Sequence, residues 1–568
     1  MLPKLLTHTL PLLLLALAVA TAIAAYAQRL VARWSGKAEG LLGRVAWPRG
    51  RAVLIVFLVS LLACVTLSLV LGIPDPAVHD EFSYLLAADT FSHFRLTNPP
   101  HPMWVHLDTF QVLQRPTYAS KYPPGQGMAM AVGEILTGLP IVGVWLSTAL
   151  LCAALCWMLM AWMPARWALL GGLLAALNMT ILEWSQNYWG GAVAALGGAL
   201  VLGAARRLAD RPRARHALVL GLGLGILANS RPYEGFVFGT ASVLALLVWF
   251  LLRRVPARIW LRNVAGPLAL VLALFGAWMA YYNWRVTGDP LLMPFSLYER
   301  QYTASPQFVW QAPKAEPVYY QPVIRQFFTS TARRLYASEH NFQGYLTAAP
   351  GKFLAPLGFF RPLALVFVPL LTLPWMLRRD RWMRAALILG LLTAFALTLT
   401  KAIFFHYAAP MTCLIFLFLA QGLRYLRLWR PWNRPVGALA MWGTIALFMA
   451  SFANWCVAYG HLNRNGFWSQ RRHIIDLLKD KGGQHLVVVR YRPDHNLSQE
   501  WVYNAADIDD SPIVWARDMG QVRNRELILY FDRRQIWLLD ADDKHPHLLP
   551  YPPGWFLPVT KSPVDRAP

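Results

Sequence analysis

The stretch AVLIVFLVSLLACVTLSLVL, residues 52–71, is followed after a short turn by VHDEFSY, residues 78–84. An apolar run of roughly 20 residues is long enough to cross a bilayer as a helix. The second segment places two adjacent carboxylates, Asp80 and Glu81, just past the end of that run. Charged groups are costly near lipid and tend to mark function there. The stretch therefore predicts a membrane protein that carries out chemistry at the bilayer surface.

The composition of the whole chain agrees with this prediction. Of its 568 residues, 56% are hydrophobic and only 14% are charged, whereas a soluble protein carries about 25% charged residues. The formal net charge is +24, but the basic residues lie in short clusters between apolar runs, which is the positive-inside pattern. The charge therefore indicates membrane topology, and no nucleic-acid partner is expected.

The apolar runs and the basic clusters together define a topology of about twelve membrane helices. The runs are Leu5–Ala27, Ala52–Leu71, Ile141–Met163, Trp167–Leu182, Trp189–Ala205, His216–Ser230, Gly235–Leu252, Val264–Tyr282, Pro362–Leu377, Ala385–Thr400, Ala402–Leu423 and Val436–Val457. The basic clusters are Arg29–Arg51, Arg206–Arg215, Arg253–Arg262, Arg378–Arg384 and Arg424–Arg434. Alternating the helices places every cluster in the cytoplasm and the amino terminus outside. The apolar segment Met128–Thr137 is too short to span and is expected to be re-entrant or interfacial.

This topology divides the chain into three parts. Residues 1–51 form an additional membrane helix and a basic cytoplasmic loop, and residues 52–458 form the main membrane module with large outer loops at 72–139 and 283–353. Residues 459–568 are predicted to be a small soluble α/β domain outside the cytoplasm. In this domain we expect a helix over Gln470–Asp480 and strands over His485–Tyr491, Glu526–Phe531 and Gln535–Leu539. A helix over Gln321–Ser338 is expected to lie on the membrane.

The five cysteines, among them Cys152 and Cys156 at i, i+4 spacing, lie in or near apolar runs. The pair could bind a soft metal ion, but small packing residues are the favoured interpretation.

The candidate chemistry begins with the acid pair. Adjacent like charges raise the pKa of one carboxyl group, which suits a general base. The alternative is that Asp80 and Glu81 only cap the start of a helix over the amphipathic run Phe82–Phe91, because acids are favoured at helix N-termini. The same outer loop supplies further candidates for contact with substrate, namely His79, Tyr84, Arg115, Lys121 and Tyr122. Prolines after Tyr122 predict a rigid loop.

Positively charged residues follow at two other helix ends on the outer side. Arg231 and Lys401 lie where the positive-inside bias should deplete cations, and each is a natural phosphate ligand. The alternative is that both extend toward water or lipid headgroups. His406 is a weaker candidate for the phosphate, because it could be a packing histidine. Glu234 is a further candidate for contact with substrate, although it could simply pair with Arg231.

The acid pair in the first large outer loop, the Tyr122-Pro123-Pro124 element and the helix end from Lys401 to Pro410 together resemble the GT-C superfamily of membrane glycosyltransferases. Within that superfamily they are similar to the bacterial relatives of protein O-mannosyltransferases (glycosyltransferase family 39) and to aminoarabinose transferases. The resemblance covers roughly Ala52 to Val457. It implies a multi-pass enzyme of the bacterial inner membrane whose active face and C-terminal domain are periplasmic.

The resemblance also implies the reaction. The donor would be a sugar, hexose or pentose, linked to a polyprenyl phosphate, and the acceptor would be a hydroxyl of a lipid, polysaccharide or protein. Asp80 would deprotonate or orient that hydroxyl, and Glu81 would assist or help to hold a divalent cation, although no cofactor is certain. Arg231, Lys401 and His406 would bind the donor phosphate, and the sugar would be transferred with inversion.

Two other classes of function remain open at this point. Twelve helices suit a secondary transporter of a polar or anionic solute, although transporters place coupling acids in broken helices near the midplane. A noncatalytic protein for envelope-polymer assembly would need neither the acid pair nor the cations. The sequence contains no P-loop and no HExxH motif, which disfavours a nucleotide-driven mechanism.

Overall fold

The computed structural model describes residue 22 and residues 28–359, 364–462 and 467–552. Within these residues, eight helices are long and apolar enough to cross a membrane, namely Arg49–Leu71, Pro140–Leu159, Gly191–Asp210, Pro232–Leu252, Ala257–Thr287, Arg381–Thr398, Ala409–Arg427 and Val436–Tyr459. The remaining helices are Gln28–Val45, His79–Ser92, Trp104–Leu107, Pro124–Thr137, Ala165–Ala176, Met179–Trp184, Ala214–Ala228, Pro294–Tyr302, Pro322–Gln326, Ala332–Glu339, Phe342–Phe359, Ala364–Arg379, Phe467–Lys481 and Gln521–Tyr530. The polytopic helical fold is therefore confirmed.

The predicted membrane runs coincide with helices, with two differences in detail. The run Trp167–Leu182 is divided at Asn178, whose side chain accepts hydrogen bonds from the backbone N–H groups of Thr180 and Ile181 and so starts a new helix. The run predicted over Ala402–Leu423 begins with an irregular segment, and its α-helix starts at Thr412. Apart from residue 22, the first run, Leu5–Ala27, lies outside the described residues, so the count of twelve stays a prediction.

Three of the predicted cytoplasmic clusters meet at one end of the helix bundle. The guanidinium of Arg206 lies 4.2 Å from the ring centroid of Trp382, and that of Arg381 lies 4.7 Å from the ring centroid of Trp249. These contacts join the loops after residues 205, 252 and 378. The loops predicted to be outside meet at the other ends of the same helices, as the alternating topology requires.

The first outer loop is folded rather than extended. It contains the helix His79–Ser92, the two-stranded antiparallel pair β1 (Val112–Leu113) and β2 (Ala119–Ser120), and the helix Pro124–Thr137. The last helix includes the short apolar segment Met128–Thr137 and packs closely on Pro140–Leu159. A Cβ atom on Gly133 would lie 2.2 Å from the backbone nitrogen of Gly143, so the two helices approach through glycines. The loop is thereby fixed against the membrane module.

The C-terminal region, residues 467–552, contains a four-stranded sheet in the order β4-β3-β5-β6. Its strands are β3 (His485–Arg490), β4 (Ile513–Arg517), β5 (Gln535–Asp540) and β6 (Leu548–Pro550). Strand β3 pairs in parallel with β4 and β5, and β6 pairs antiparallel with β5. The small α/β region is confirmed, but the strand predicted over Glu526–Phe531 is wrong. Its residues Glu526–Tyr530 lie in the helix Gln521–Tyr530, which makes the crossover that parallel strands require.

The segment predicted as a membrane-surface helix is helical in two parts, Pro322–Gln326 and Ala332–Glu339, joined by a π-helical turn over Phe327–Thr331. Cys152 and Cys156 are buried in the helix Pro140–Leu159 among apolar side chains. Among the described residues no group of three or more His, Cys, Asp or Glu side chains is arranged to hold a metal ion. The cysteine contacts agree with the packing interpretation.

Candidate functional site

A cavity of about 950 Å³ lies where the predicted outer loops meet. Nine of the eleven candidate residues line it, although they come from four separate stretches of the chain: His79, Asp80, Tyr84, Lys121, Tyr122, Arg231, Glu234, Lys401 and His406. Glu81 and Arg115 do not line this cavity. The structure thus brings a carboxylate and several cations into one pocket.

Asp80 is in the first turn of the helix His79–Ser92, where the helix dipole favours a negative charge. Its carboxylate is a hydrogen-bond partner of the Tyr122 hydroxyl. The ring of Tyr122 stacks on that of Tyr84 at a centroid distance of 4.5 Å. Burial, followed by the charge of Asp80, raises the pKa of Tyr122 well above its ordinary value. The tyrosine hydroxyl therefore stays protonated and donates to Asp80.

Glu81 is buried on the other side of the same helix turn. Its carboxylate accepts hydrogen bonds from the backbone N–H groups of Ala77 at 2.7 Å, Val78 at 3.2 Å and Tyr188 at 3.0 Å. The bond to the residue before the helix is the acidic half of a capping box. Burial raises the pKa of Glu81 and the three N–H donors oppose that rise. Glu81 therefore ties the loop around Tyr188 to the start of the Asp80 helix.

Arg231 precedes the helix Pro232–Leu252, and its guanidinium lies 4.7 Å from the ring centroid of Tyr407. The Pro-Pro-Gly element reaches this point, because the N–H of Gly125 donates to the carbonyl of Asn229 at 2.8 Å. A Cβ atom at position 125 would lie 2.7 Å from that carbonyl oxygen. Glycine is thus required for the close approach that places the first outer loop beside Arg231.

Two lysines face the same cavity from other directions. The ammonium of Lys401 donates to the carbonyl of Ser305 at 3.1 Å and lies 4.0 Å from the carboxylate of Glu299. The ammonium of Lys121 lies 4.6 Å from the ring centroid of Tyr298. Burial lowers the pKa of both lysines, and the charge of Glu299 opposes that fall. Each ammonium is held by aromatic or carbonyl partners and still faces open space.

The two histidines contribute no charge at neutral pH. His406 is buried against Trp189, with centroids 4.9 Å apart, and burial lowers its pKa well below the usual value. His79 stacks on Phe110 at 4.2 Å, and burial lowers its pKa to about 4. His406 was predicted as a donor ligand with the cations, but it can offer only a neutral ring nitrogen.

Arg115 lies apart from the other predicted residues, whereas Glu234 lies among them. Arg115 is exposed and stacks over Trp104 at 4.4 Å, outside the cavity. Glu234 is buried and its charge acts on Arg231, in agreement with the predicted pairing. Three residues that the sequence reasoning missed also line the cavity, namely Glu299, Arg300 and Lys314. All three belong to the second outer loop. Asp80 was identified as a charged residue in an outer loop, and the same signal could have identified these three.

The C-terminal region reaches the same site. Ser498 lines the cavity, and the ring of Tyr503 stacks on Phe82, two residues after Asp80, at 4.1 Å with the planes 2° apart. The Nε of Arg517 donates to the backbone carbonyl of Asp108 at 2.6 Å. Burial raises the pKa of the Asp108 carboxyl group to about 7, against the hydrogen bond that it accepts from Tyr302. The sheet region thus holds the loop that carries Asp80.

Comparisons with known proteins support the fold. No family model matches the chain, and no curated protein matches it. The crystal structure of ArnT from Cupriavidus metallidurans in the apo state aligns over 86% of this chain and 92% of its own, with a TM-score of 0.50 and 14% sequence identity. ArnT is an aminoarabinose transferase of the GT-C superfamily. The chain has the GT-C fold. The predicted resemblance is therefore confirmed for the fold.

Other GT-C structures align with lower scores. ArnT bound to undecaprenyl phosphate aligns over 85% of this chain and 88% of its own, with a TM-score of 0.47 and 14% identity. The oligosaccharyltransferase of Archaeoglobus fulgidus in the apo form aligns over 78% of this chain and 63% of its own, with a TM-score of 0.39 and 11% identity. These alignments show the fold of the chain and not its function.

Proposed function

We propose that the chain is an inverting glycosyltransferase of the bacterial inner membrane. It moves a hexose or pentose from a polyprenyl-phosphate-linked donor to an acceptor hydroxyl of a lipid, polysaccharide or protein on the periplasmic face. One observation carries the proposal: Asp80 and the cations Arg231, Lys121 and Lys401 line a single cavity at the ends of apolar helices. A carboxylate acting on a hydroxyl and cations acting on a departing phosphate are the two requirements of this reaction.

In the proposed reaction each of these groups has a separate part. The oxygen of the acceptor hydroxyl forms a bond to the anomeric carbon of the sugar. As it does so, the carboxylate of Asp80 accepts the proton of that hydroxyl. The bond between that carbon and the phosphate oxygen breaks, and its electron pair leaves with the lipid phosphate. Arg231 and Lys401 stabilise the charge that develops there, because preplaced cations in a partly buried site need little rearrangement. Lys121 is placed to join them.

An apolar side of the cavity supplies a path for the lipid. Phe236, Met279 and Tyr282 line the cavity and belong to the membrane helices Pro232–Leu252 and Ala257–Thr287. The side chain of Phe236 is exposed, as is expected of a residue that meets lipid. A polyprenyl chain lying against these residues would bring its phosphate to the cationic end. A water-soluble sugar nucleotide would leave this apolar side unused.

The other predicted residues take supporting parts in the proposal. We assign Glu81 a positioning part, because three backbone donors already occupy its carboxylate, and not the cation-binding part expected from the resemblance. Tyr84 and Tyr122 orient Asp80, while His79, Glu234 and His406 shape the cavity. Arg115 receives no part in catalysis.

The arrangement of charge separates this proposal from a transporter. Asp80, Lys121, Arg231 and Lys401 lie in loops or at helix ends, whereas a transporter binds its solute near the midplane.

The direct test uses purified protein in liposomes with labelled polyprenyl-phosphate hexoses and pentoses and with lipid, polysaccharide and peptide acceptors. We expect free polyprenyl phosphate and labelled acceptor to form at equal rates, and the transferred sugar to have the anomeric configuration opposite to that in the donor. Solute crossing the bilayer with no cleavage of any donor would contradict the proposal.

Replacement of Lys401 tests the donor-phosphate assignment. A charge-assisted hydrogen bond contributes about 1.5–3 kcal/mol, so we expect Lys401→Ala to raise the donor KM about 10- to 100-fold. The acceptor KM should change little. Lys401→Arg keeps the charge and is the matched control. Equal effects on the two substrates, or an unchanged donor KM and kcat in Lys401→Ala, would remove Lys401 from the phosphate site.

The lowered pKa of Lys401 predicts a pH dependence. A lysine is charged below its pKa and loses that charge as the pH rises, while the donor phosphodiester keeps its charge throughout. Donor binding should therefore be at full strength at neutral pH and weaken as the pH rises. The midpoint of this decline should lie below about 10.4, the pKa of a free lysine, because burial lowers the pKa of Lys401. Lys401→Arg should reduce this decline, because arginine does not deprotonate, and the part that comes from Lys121 should remain. The measurement is donor Kd from pH 7 upward in wild type and Lys401→Arg; identical profiles would refute the prediction.

A further inference from the structure

A second cavity, of about 280 Å³, lies at the opposite end of the helix bundle, among the predicted cytoplasmic loops. It lies between the helices Gly191–Asp210, Pro232–Leu252 and Arg381–Thr398, and none of its lining residues lines the first cavity. Its walls are formed by aliphatic side chains, among them Leu202, Leu246 and Leu389. Its rim carries three tryptophans and two arginines, namely Trp162, Trp249, Trp382, Arg206 and Arg381. The proposed reaction makes no use of it.

The two arginines are fixed by aromatic rings at the rim. Arg206, whose side chain is 14% exposed, lies 4.2 Å from the Trp382 centroid, and Arg381 lies 4.7 Å from the Trp249 centroid. The two tryptophan rings are 4.4 Å apart, so the four side chains form one continuous group. Asp210 pairs with one nitrogen of Arg206 at 2.5 Å. The buried Nε of Arg206 has no hydrogen-bond partner among the described residues.

The cavity combines a cationic rim with apolar walls that continue to the outside of the bundle. Val248 and Leu252 line it and are 52% and 75% exposed, so its side opens where lipid would surround the helices. Tryptophan and arginine are typical of the level of lipid headgroups. A free phosphate ion would contact the rim alone, and a zwitterionic headgroup would bring its own ammonium to two arginines. A lipid with net negative charge matches both the rim and the walls.

We propose that this cavity is a binding site for one anionic phospholipid of the leaflet opposite the first cavity. Its phosphate lies at Arg206 and Arg381, and the upper part of an acyl chain lies against Leu246 and Leu389. The site is independent of the proposed glycosyltransferase reaction, because it shares no residue with the first cavity. Its occupation ties together three helices, one of which, Pro232–Leu252, begins at the first cavity, and so should stabilise the bundle.

The test is native mass spectrometry of the full-length protein after exchange into dioleoylphosphatidylglycerol or dioleoylphosphatidylcholine. Arg206→Gln with Arg381→Gln removes the rim charges. The matched control, Arg258→Gln with Arg262→Gln, removes two exposed charges from the same end of the bundle but from outside the cavity. We expect wild type and control to retain one more phosphatidylglycerol than the rim variant. Only wild type and control should gain thermal stability from phosphatidylglycerol.

Three results would overturn the proposal. Equal phosphatidylglycerol retention by the rim variant and the control would mean that surface charge alone attracts the lipid. Equal retention of phosphatidylcholine and phosphatidylglycerol by wild type would mean that the apolar walls alone are filled. Stabilisation of wild type by millimolar inorganic phosphate to the same extent as by phosphatidylglycerol would assign the rim to a soluble anion. Because the readouts are binding and melting, they stay informative if the glycosyltransferase proposal fails.

Discussion

Asp80→Asn is expected to abolish sugar transfer while the protein still folds and binds its lipid donor. The amide has nearly the shape of the carboxylate but cannot take a proton from the acceptor hydroxyl. General-base assistance contributes about 10²- to 10⁴-fold to a rate, so kcat should fall by at least the lower of these factors. The donor Kd should stay close to that of wild type, because the proposal assigns Asp80 to the acceptor and the cations to the donor.

The measurement separates a catalytic defect from a structural one. Single-turnover transfer from labelled donor gives the chemical rate, binding of a short-chain polyprenyl phosphate gives the affinity, and the melting temperature reports the fold. Asp89 is on the same helix, but its carboxylate accepts the N–H of Ala506 at 2.7 Å and does not line the cavity. Asp89→Asn is therefore the matched control and should retain the chemical rate. A rate for Asp80→Asn within threefold of wild type would exclude Asp80 as the base.

The gathering of Asp80, Arg231 and Lys401 was predictable, because topology limits where loops can go. Once the arginine-rich loops occupy one end of the bundle, all the remaining loops must meet at the other end. Helix boundaries were less predictable. Asn178 interrupts a predicted run by capping a new helix, and hydropathy alone carries no signal for such a cap.

The separate fates of two adjacent acids could not be predicted from local sequence. Asp80 and Glu81 differ because Glu81 meets the N–H of Tyr188, a partner more than a hundred residues away in the chain. Glu299 was missed for a similar reason, since its placement depends on contacts between the second outer loop and Lys401. In each case a tertiary partner, and not the residue type, decides which carboxylate faces the cavity.

The C-terminal region shows where periodicity fails. The apolar segment Glu526–Phe531 is short, and short apolar runs are ambiguous between strand and helix. The parallel pairing of β3 with β4 and β5 decides the matter, because the chain must cross over between parallel strands. The stacking of Tyr503 on Phe82 was invisible in sequence, since it joins segments that no local pattern relates.

The second large effect is expected from Arg517→Met, because Arg517 joins the C-terminal region to the first outer loop. Arg517 and Glu500 form an ion pair at 2.5 Å, and their side chains are 2% and 0% exposed. Glu500 also accepts a hydrogen bond from Tyr491, and the Nε of Arg517 donates to the carbonyl of Asp108 in the first outer loop. Removing the arginine leaves a buried carboxylate without its counter-charge, which costs about 3–5 kcal/mol. We therefore expect a large fall in the stability of the C-terminal region.

Loss of this pair should also reach the cavity. Arg517 joins the sheet to the loop that carries Asp80, and Tyr503 holds Phe82 on the same helix, so loosening the sheet should lower kcat for sugar transfer as well as the melting temperature. The matched control is Arg490→Met, because Arg490 pairs with Asp540 at the same 2.5 Å but its side chain is 51% exposed. An exposed pair contributes about 0–1 kcal/mol, and the side-chain hydrogen bonds of Arg490 go to Asp540 and not to the loop.

Thermal unfolding and limited proteolysis of the full-length protein, with kcat measured below the transition, give the comparison. Arg517→Met with Glu500→Gln should recover part of the lost stability, because the double variant no longer buries an unpaired charge. Equal melting temperatures for Arg517→Met and Arg490→Met would show that the buried pair does not hold the region together. A fall in stability with unchanged kcat would show instead that the sheet region folds on the loop without positioning Asp80.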